Sequence, residues 1–373
     1  MMKRIVWMML IGMASVDAGY SQMNISAEAT GMADDNVSNS YEHGADRITL
    51  YGLKAGYTWN SQPTETRLLY YGAFSYYTSL TDRTFQYHSM GLMHTRSFGD
   101  EDAGTVEFAA EYAVRKNRDS FTLFDHATFG LEAAAEYYFT ELFAGEARYQ
   151  FHSTVFSQLG DFDYRENVLS LKASRQLFST TTVILQSEID IKSYAQQVSG
   201  DSSGALHGGM VNNKVPRAIQ WSSSVRIGQS LGEKTGVSLS AGYRYNFQQS
   251  ARYLSSEYGS LSDDELFNDH YGYEGLRTGI LLTQLLPADL TLRLRMDQEQ
   301  RAYALQSAYD LSGVQTAAQR SDTYRVFSAS CVKHWENFPL TLMFTYEYIK
   351  NASNDAYYDY TNNVFSVGLT VPF

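Results

Sequence analysis

A single cysteine, Cys331, leaves no disulfide framework and no lipid-bearing cysteine behind a leader, and it reads as a small strand residue. Long apolar runs are missing too. Past the N-terminus no segment approaches the roughly 18 consecutive apolar residues of a membrane-spanning helix. Proline is scarce, with five residues, and Pro63, Pro287 and Pro339 fall in or beside short turn-like connections, where no ladder N–H is needed. Positive charge is in deficit, 29 Lys and Arg against 41 Asp and Glu. The resulting net charge of −12 argues against a nucleic-acid partner and suits a cationic or neutral solute slightly better than an anionic one. GxxxxGK, CxxC and HExxH do not occur. His88-Ser89 and His152-Ser153 are adjacent pairs, and neighbours on a strand point to opposite faces, so neither forms a catalytic unit. Asp263, Asp264, Glu265 and Asp269 match no calcium-loop spacing and read as a solvated acidic loop. No catalytic residue, metal site or cofactor is expected, and the chain does not read as an enzyme.

What is present begins with Lys3 and Arg4, an apolar run from Ile5 to Val16, and then small residues. This is the layout of a removable secretion signal. It predicts a leader over 1–21, cut after residue 18 or 21, and a mature domain over 22–373. The apolar run is too short to cross a bilayer as a helix, which takes about 20 residues. The mature part is rich in aromatics, with 29 Tyr and 20 Phe in the chain, yet mildly polar in mean hydropathy. A transmembrane barrel has this composition, because only alternate residues face lipid and aromatic girdles mark both interfaces.

Strand-like segments recur after the leader near 23–32, 47–59, 66–79, 84–98, 104–115, 125–139, 142–153 and 163–177. They continue near 181–193, 217–230, 235–248, 270–284, 289–302, 320–334, 339–350 and 361–373. Connections after even-numbered strands are short and turn-like. Those after odd-numbered strands are mostly longer and polar, notably 194–216, 249–269 and 303–319, where inward constrictions or external binding surfaces would lie. This predicts an all-β, antiparallel transmembrane barrel of sixteen strands, with fourteen as the alternative count. Short periplasmic turns lie on one rim and long extracellular loops on the other. Trp59, Phe98, Phe139, Phe143, Phe178, Trp335 and Phe338 form an expected inner girdle. Tyr194, Trp221, Tyr271, Tyr303, Tyr324 and Tyr348 form the expected outer one.

Several strands separate cleanly into an apolar and a charged face. Charge on a lipid face costs about 2–4 kcal/mol near the midplane for Arg or Lys, so the charged face must point inward. The expected pore lining is Glu107, Glu111, Glu132, Glu136, Glu146 and Arg148 on the fifth to seventh strands. Arg226, Arg244, Arg293 and Arg295 continue it on the tenth, eleventh and thirteenth. Sixteen strands enclose more space than side chains fill, so a water channel is expected. Acidic and basic walls would then face each other across it, as a transverse field; lateral pairing of neighbours is the alternative. The phases of the third, fourth, eighth, twelfth and fourteenth strands remain open.

The C-terminus carries Phe365, Val367, Leu369, Val371 and Phe373 at a spacing of two, with small or polar residues between them. This strand resembles the closing strand of bacterial outer-membrane barrels and reads as an insertion signal for the barrel-assembly machinery. Ala29-Thr30-Gly31-Met32-Ala33-Asp34-Asp35-Asn36-Val37 resembles the first strand of barrels that follow tetratricopeptide repeats. The closing hairpin resembles theirs in Tyr346-Glu347-Tyr348, Asn351-Ala352-Ser353-Asn354, Tyr357-Tyr358-Asp359-Tyr360 and Asn363 with Ser366-Val367-Gly368. That group includes surface lipoprotein assembly modifiers and polysaccharide-export porins. The resemblance implies passage of a polymer or lipoprotein through or beside the barrel, in the outer membrane of a Gram-negative bacterium. No helical repeat domain precedes the barrel, so a periplasmic export partner would supply that part. The absence of a plug domain argues against an energy-coupled transporter. The expectation is thus a porin-like channel for polar solutes or an exported polymer. The alternatives are a gated secretion or assembly barrel and a surface-binding barrel with a plugged lumen. The sequence is silent on the oligomeric state.

Overall fold

The structure, a computed structural model, describes residues 20–100, 103–194, 217–248, 270–335 and 338–373. Strands β1 (Tyr20–Asp34), β2 (Asp46–Ser61), β3 (Thr64–Tyr77), β4 (Phe85–Phe98), β5 (Gly104–Asn117), β6 (His126–Thr140), β7 (Phe143–Phe156) and β8 (Tyr164–Leu177) form the first half. Strands β9 (Thr181–Tyr194), β10 (Arg217–Ser230), β11 (Thr235–Gln248), β12 (Gly275–Leu286), β13 (Leu290–Tyr309), β14 (Gln315–Trp335), β15 (Leu340–Ser353) and β16 (Tyr360–Pro372) form the second. Each strand pairs antiparallel with its sequence neighbours, and β1 closes on β16 from Ser26↔Pro372 to Asp34↔Val364. The strand count is sixteen, not fourteen. Closure leaves no free edge, the condition for strands to lie in lipid with every backbone group paired.

Directly paired residues share a face, so one assigned strand sets the phase of the whole ring. Phe108 and Tyr112 on β5 pair with Ala133 and Phe129 on β6, and with His94 and Met90 on β4. Continuing around, Leu53, Leu131, Leu171, Leu185, Leu239, Ile280 and Met296 lie on this face, all exposed in the isolated chain because their solvent is lipid. The five phases open from the sequence resolve in the same way. Inward apolar residues such as Leu69 on β3, Leu281 on β12 and Val332 on β14 had blurred their alternation. Outward cations sit near strand ends, as Arg96 on β4, Arg175 on β8 and Lys333 on β14 do.

The inner girdle lies where expected. Phe98 stacks on Tyr137 at 6.1 Å and Phe139 on Phe143 at 5.2 Å, all beside short turns. The outer girdle needs correction. Trp221 and Tyr348 face lipid, but Tyr194, Tyr303 and Tyr324 share the inward face and Tyr271 is fully buried. Position along a strand sets depth; parity sets the face. The outward aromatics toward that rim include Tyr51, Tyr112, Tyr243, Tyr245, Phe247 and Tyr346.

Two boundaries also differ. The segment expected as loop 303–319 is mostly paired, since β13 runs on to Tyr309 and β14 starts at Gln315. Its turn is held by the Asp310 carboxylate, which accepts from the N–H of Ser312 (2.8 Å) and Val314 (2.9 Å), with Gly313 at φ 72°. A strand beyond the membrane needs no apolar face, so its polar composition read as a loop. The twelfth strand begins at Gly275, after a short helical turn His270–Gly272. Loops 195–216 and 249–269, including the acidic run Asp263 to Asp269, lie outside the described residues.

Candidate functional site

All ten residues expected to line a pore occur on the face opposite the lipid face. Many of their charges are already paired. Arg148 bridges Glu132 and Glu146, the latter at 2.9 Å, and Lys172 reaches Glu146 at 2.6 Å. Gln150 Nε2 donates to Glu132 at 2.7 Å. Across the ring, Arg244 and Arg301 flank Glu299 at 3.2 and 2.9 Å, while Arg295 and Arg277 flank Asp297. Lateral pairing therefore cancels much of the expected field. Glu107, Glu111 and Glu136 on one side, and Arg226 and Arg293 on the other, make no salt bridge among the described residues. Glu107 accepts from Thr95 Oγ1 at 3.5 Å.

Toward the long-loop rim, the wall grips a segment that sequence reasoning did not single out. Glu166 of β8, Asp190 and Lys192 of β9, Gln220 of β10 and Asn246 of β11 are neighbours on the inward face by register. Against them lies His270–Tyr273. Tyr271 is fully buried, and its hydroxyl donates to Glu166. Gln220 Nε2 donates to the His270 carbonyl at 2.9 Å. Asn246 Nδ2 donates to the carbonyls of Tyr271 (3.2 Å) and Tyr273 (2.8 Å). His270 sits 3.7 Å from Asp190, and His152 sits 3.7 Å from Glu166. The buried Lys192 ammonium lies over Tyr164, Tyr194 and Tyr271 at 4.2, 5.4 and 5.5 Å. Burial, then the charges of Glu166 and Asp190, pushes the Tyr271 phenol up. The segment is thus bound to the inner wall by side chains that bond its backbone. The sequence carried no separate signal for it, because Glu166, Asp190, Gln220 and Asn246 are polar inward residues like those that line a water-filled lumen.

A second buried polar group ties this rim farther round the ring. Arg320 of β14 lies between Tyr303 at 4.2 Å and Tyr358 at 3.3 Å and bonds Asp322 at 2.6 Å. Asp322 also accepts from Ser353 Oγ at 2.6 Å and Asn351 Nδ2 at 3.2 Å. Beside it the ends of the chain meet. Asp35 accepts from both the backbone N–H and Nδ2 of Asn363 at 2.7 Å, and Asn362 Nδ2 donates to the Asn36 carbonyl at 3.0 Å. The motif from Ala29 to Val37 and the closing-hairpin motif are therefore two halves of one seam clasp. Elsewhere on the rim, Phe124, Phe156, Leu159 and Phe162 build a small apolar cluster that packs two loops together.

The C-terminal residues Phe365, Val367, Leu369 and Val371 face lipid opposite Ala33, Gly31, Ala29 and Ala27, and Phe373 N–H donates to the Ile25 carbonyl at 2.8 Å. Among the described residues, no group of three His, Cys, Asp or Glu side chains is arranged to hold a metal ion.

No curated protein matches the chain. Solved structures do, at low identity. OccAB1 of Acinetobacter baumannii aligns at TM-score 0.57 and 8% identity, over 95% of this chain and 96% of that one. The outer membrane protein OprD of Pseudomonas aeruginosa aligns at 0.52 and 9%, over 95% and 93%. OccD3 (OpdP) of the same organism aligns at 0.50 and 10%, over 96% and 93%. These likenesses establish the fold. A family model described as surface lipoprotein assembly modifier matches residues 228–373, from the end of β10 through the closing strand. The chain is a sixteen-stranded outer-membrane β-barrel whose C-terminal part is similar to the surface lipoprotein assembly modifier family.

Proposed function

We propose that this barrel is a porin-like channel of the Gram-negative outer membrane, passing polar solutes through a charged lumen, and that it transports rather than catalyses. The observation that carries the reading is the largely polar, charged inner face of a sixteen-stranded ring, a strand number that encloses more space than side chains fill. The fold shared with OprD and the Occ proteins supports it. A leader cut after residue 18 or 21 and the terminal strand fit export and handover to the barrel-assembly machinery. A second reading, a gated export or assembly barrel with a periplasmic partner, is favoured by the family match over 228–373. Single-channel recording of the refolded protein in planar bilayers separates the two. Steady conductance supports the channel; silence, relieved only by an added periplasmic protein, supports the gated barrel.

A further inference from the structure

We propose that the lumen sorts ions by wall, cations along β5 and β6 and anions along the facing wall at β10 and β13. This rests on the channel reading above. Inward charges paired in equal number, such as Arg148 and Lys172 with Glu132 and Glu146, cancel within a few ångströms and contribute little farther out. The unpaired ones act on the solute. Four of them share one depth. Glu107 lies three residues from the Gly104 end of β5 and Glu136 four from the Thr140 end of β6; Arg226 lies four from the Ser230 end of β10 and Arg293 three from the Leu290 end of β13. All four are thus about 10–13 Å along their strands from the short-turn rim. β5 and β13 are eight strands apart in a ring of sixteen, so Glu107 and Arg293 stand on opposite walls.

Higher up, both walls continue. Glu111 continues the acidic wall, and Glu347 on β15, paired in register with Val364, is a further unpaired inward carboxylate. On the opposite wall Arg277 and Arg295 share the single Asp297, seven residues from the Leu290 end, so one positive charge is left over and the basic wall reaches the depth of Glu111. Width decides whether the walls cooperate. Sixteen strands at about 4.8 Å spacing and about 40° tilt give a backbone diameter of roughly 32 Å, hence roughly 20 Å between opposed charged heads. That is more than twice the Debye length of about 8 Å at 0.15 M salt, but shorter than the 30 Å at 0.01 M. The walls act separately at physiological salt and merge into one field only in dilute salt.

The test is the reversal potential of the full chain in KCl gradients at both ionic strengths. It compares wild type with E107Q/E111Q/E136Q, with R226Q/R293Q and with all five substitutions combined. The acidic-wall variant is expected to move the K⁺/Cl⁻ permeability ratio toward chloride by about twofold or more, and the basic-wall variant toward potassium. At 0.15 M the combined shift equals the sum of the two; at 0.01 M it departs from it. A conducting barrel that ignores either wall, or whose shifts fail to add at 0.15 M, overturns the two-path inference and leaves the channel reading standing. A wild-type barrel that conducts nothing overturns both.

Discussion

Removing one oxygen atom tests the grip on His270–Tyr273. Tyr271→Phe keeps the ring, and with it the contact to Lys192, while deleting the hydroxyl that donates to Glu166. A hydrogen bond to a charged group contributes about 1.5–3 kcal/mol, and here the carboxylate left behind is itself buried. At about 1.4 kcal/mol per tenfold, the population of the released segment should rise roughly 10- to 150-fold. Release stays partial, because the three bonds from Gln220 and Asn246 to the segment's carbonyls remain. The assay is open-channel noise in single-channel recordings. Wild type should be quiet and Tyr271→Phe should flicker. Glu166→Gln, which still accepts the hydroxyl as a neutral partner, should fall between them. Identical traces from all three would refute the reasoning, since they would mean that the bond does not hold the segment against the wall.

Three further outcomes follow from the same geometry. The folded-state pKa of Tyr271 is raised above the ordinary tyrosine value of about 10, so the bond's contribution is complete below pH 10 and is lost as pH climbs through the folded value. Wild-type flicker should therefore rise only in strong alkali, and Tyr271→Phe should show no such rise. Asp310→Ala removes the acceptor for two backbone N–H groups in the β13–β14 turn, at a cost of about 1 kcal/mol each; hydrogen exchange at Gln315 and Gln319 should quicken while conductance is unchanged. Deleting Phe373 removes the N–H that bonds Ile25 and the last lipid-facing aromatic; heat-modifiable, folded barrel in outer-membrane fractions should fall, while protein that does fold should conduct normally.

Most of the architecture was legible from period and parity. Strict alternation on the fifth, sixth, seventh, eleventh and thirteenth strands fixed their faces, and alternating short and long connections fixed the topology, because lipid on one side and water on the other allow little else. What escaped were features set by tertiary contact. Tyr194, Tyr303 and Tyr324 look like interface aromatics in the sequence, yet each stands on the inward parity and meets a cation or another ring there. His270–Tyr273 extends an expected strand in the sequence but turns aside to bond Gln220 and Asn246. Which carboxylates stay unpaired was equally hidden. Glu146 and Glu136 look alike in the sequence, and only the register brings Lys172 opposite the first.

The clasp at the seam has a consequence in time. Asp35 and Asn363 are 328 positions apart, so the bonds between them cannot form until nearly the whole chain has been synthesised. Until then β1 presents a bare row of amides and carbonyls, and a ring missing its last member is not a smaller barrel but an open sheet. Maturation therefore has no useful halfway stage. The edge of β1 must be shielded by something else for as long as β16 is absent, and the arrival of the final strand ends that dependence. The barrel carries its own signal of closure, in the form of two asparagines that find their partners only when the sixteenth strand meets the first.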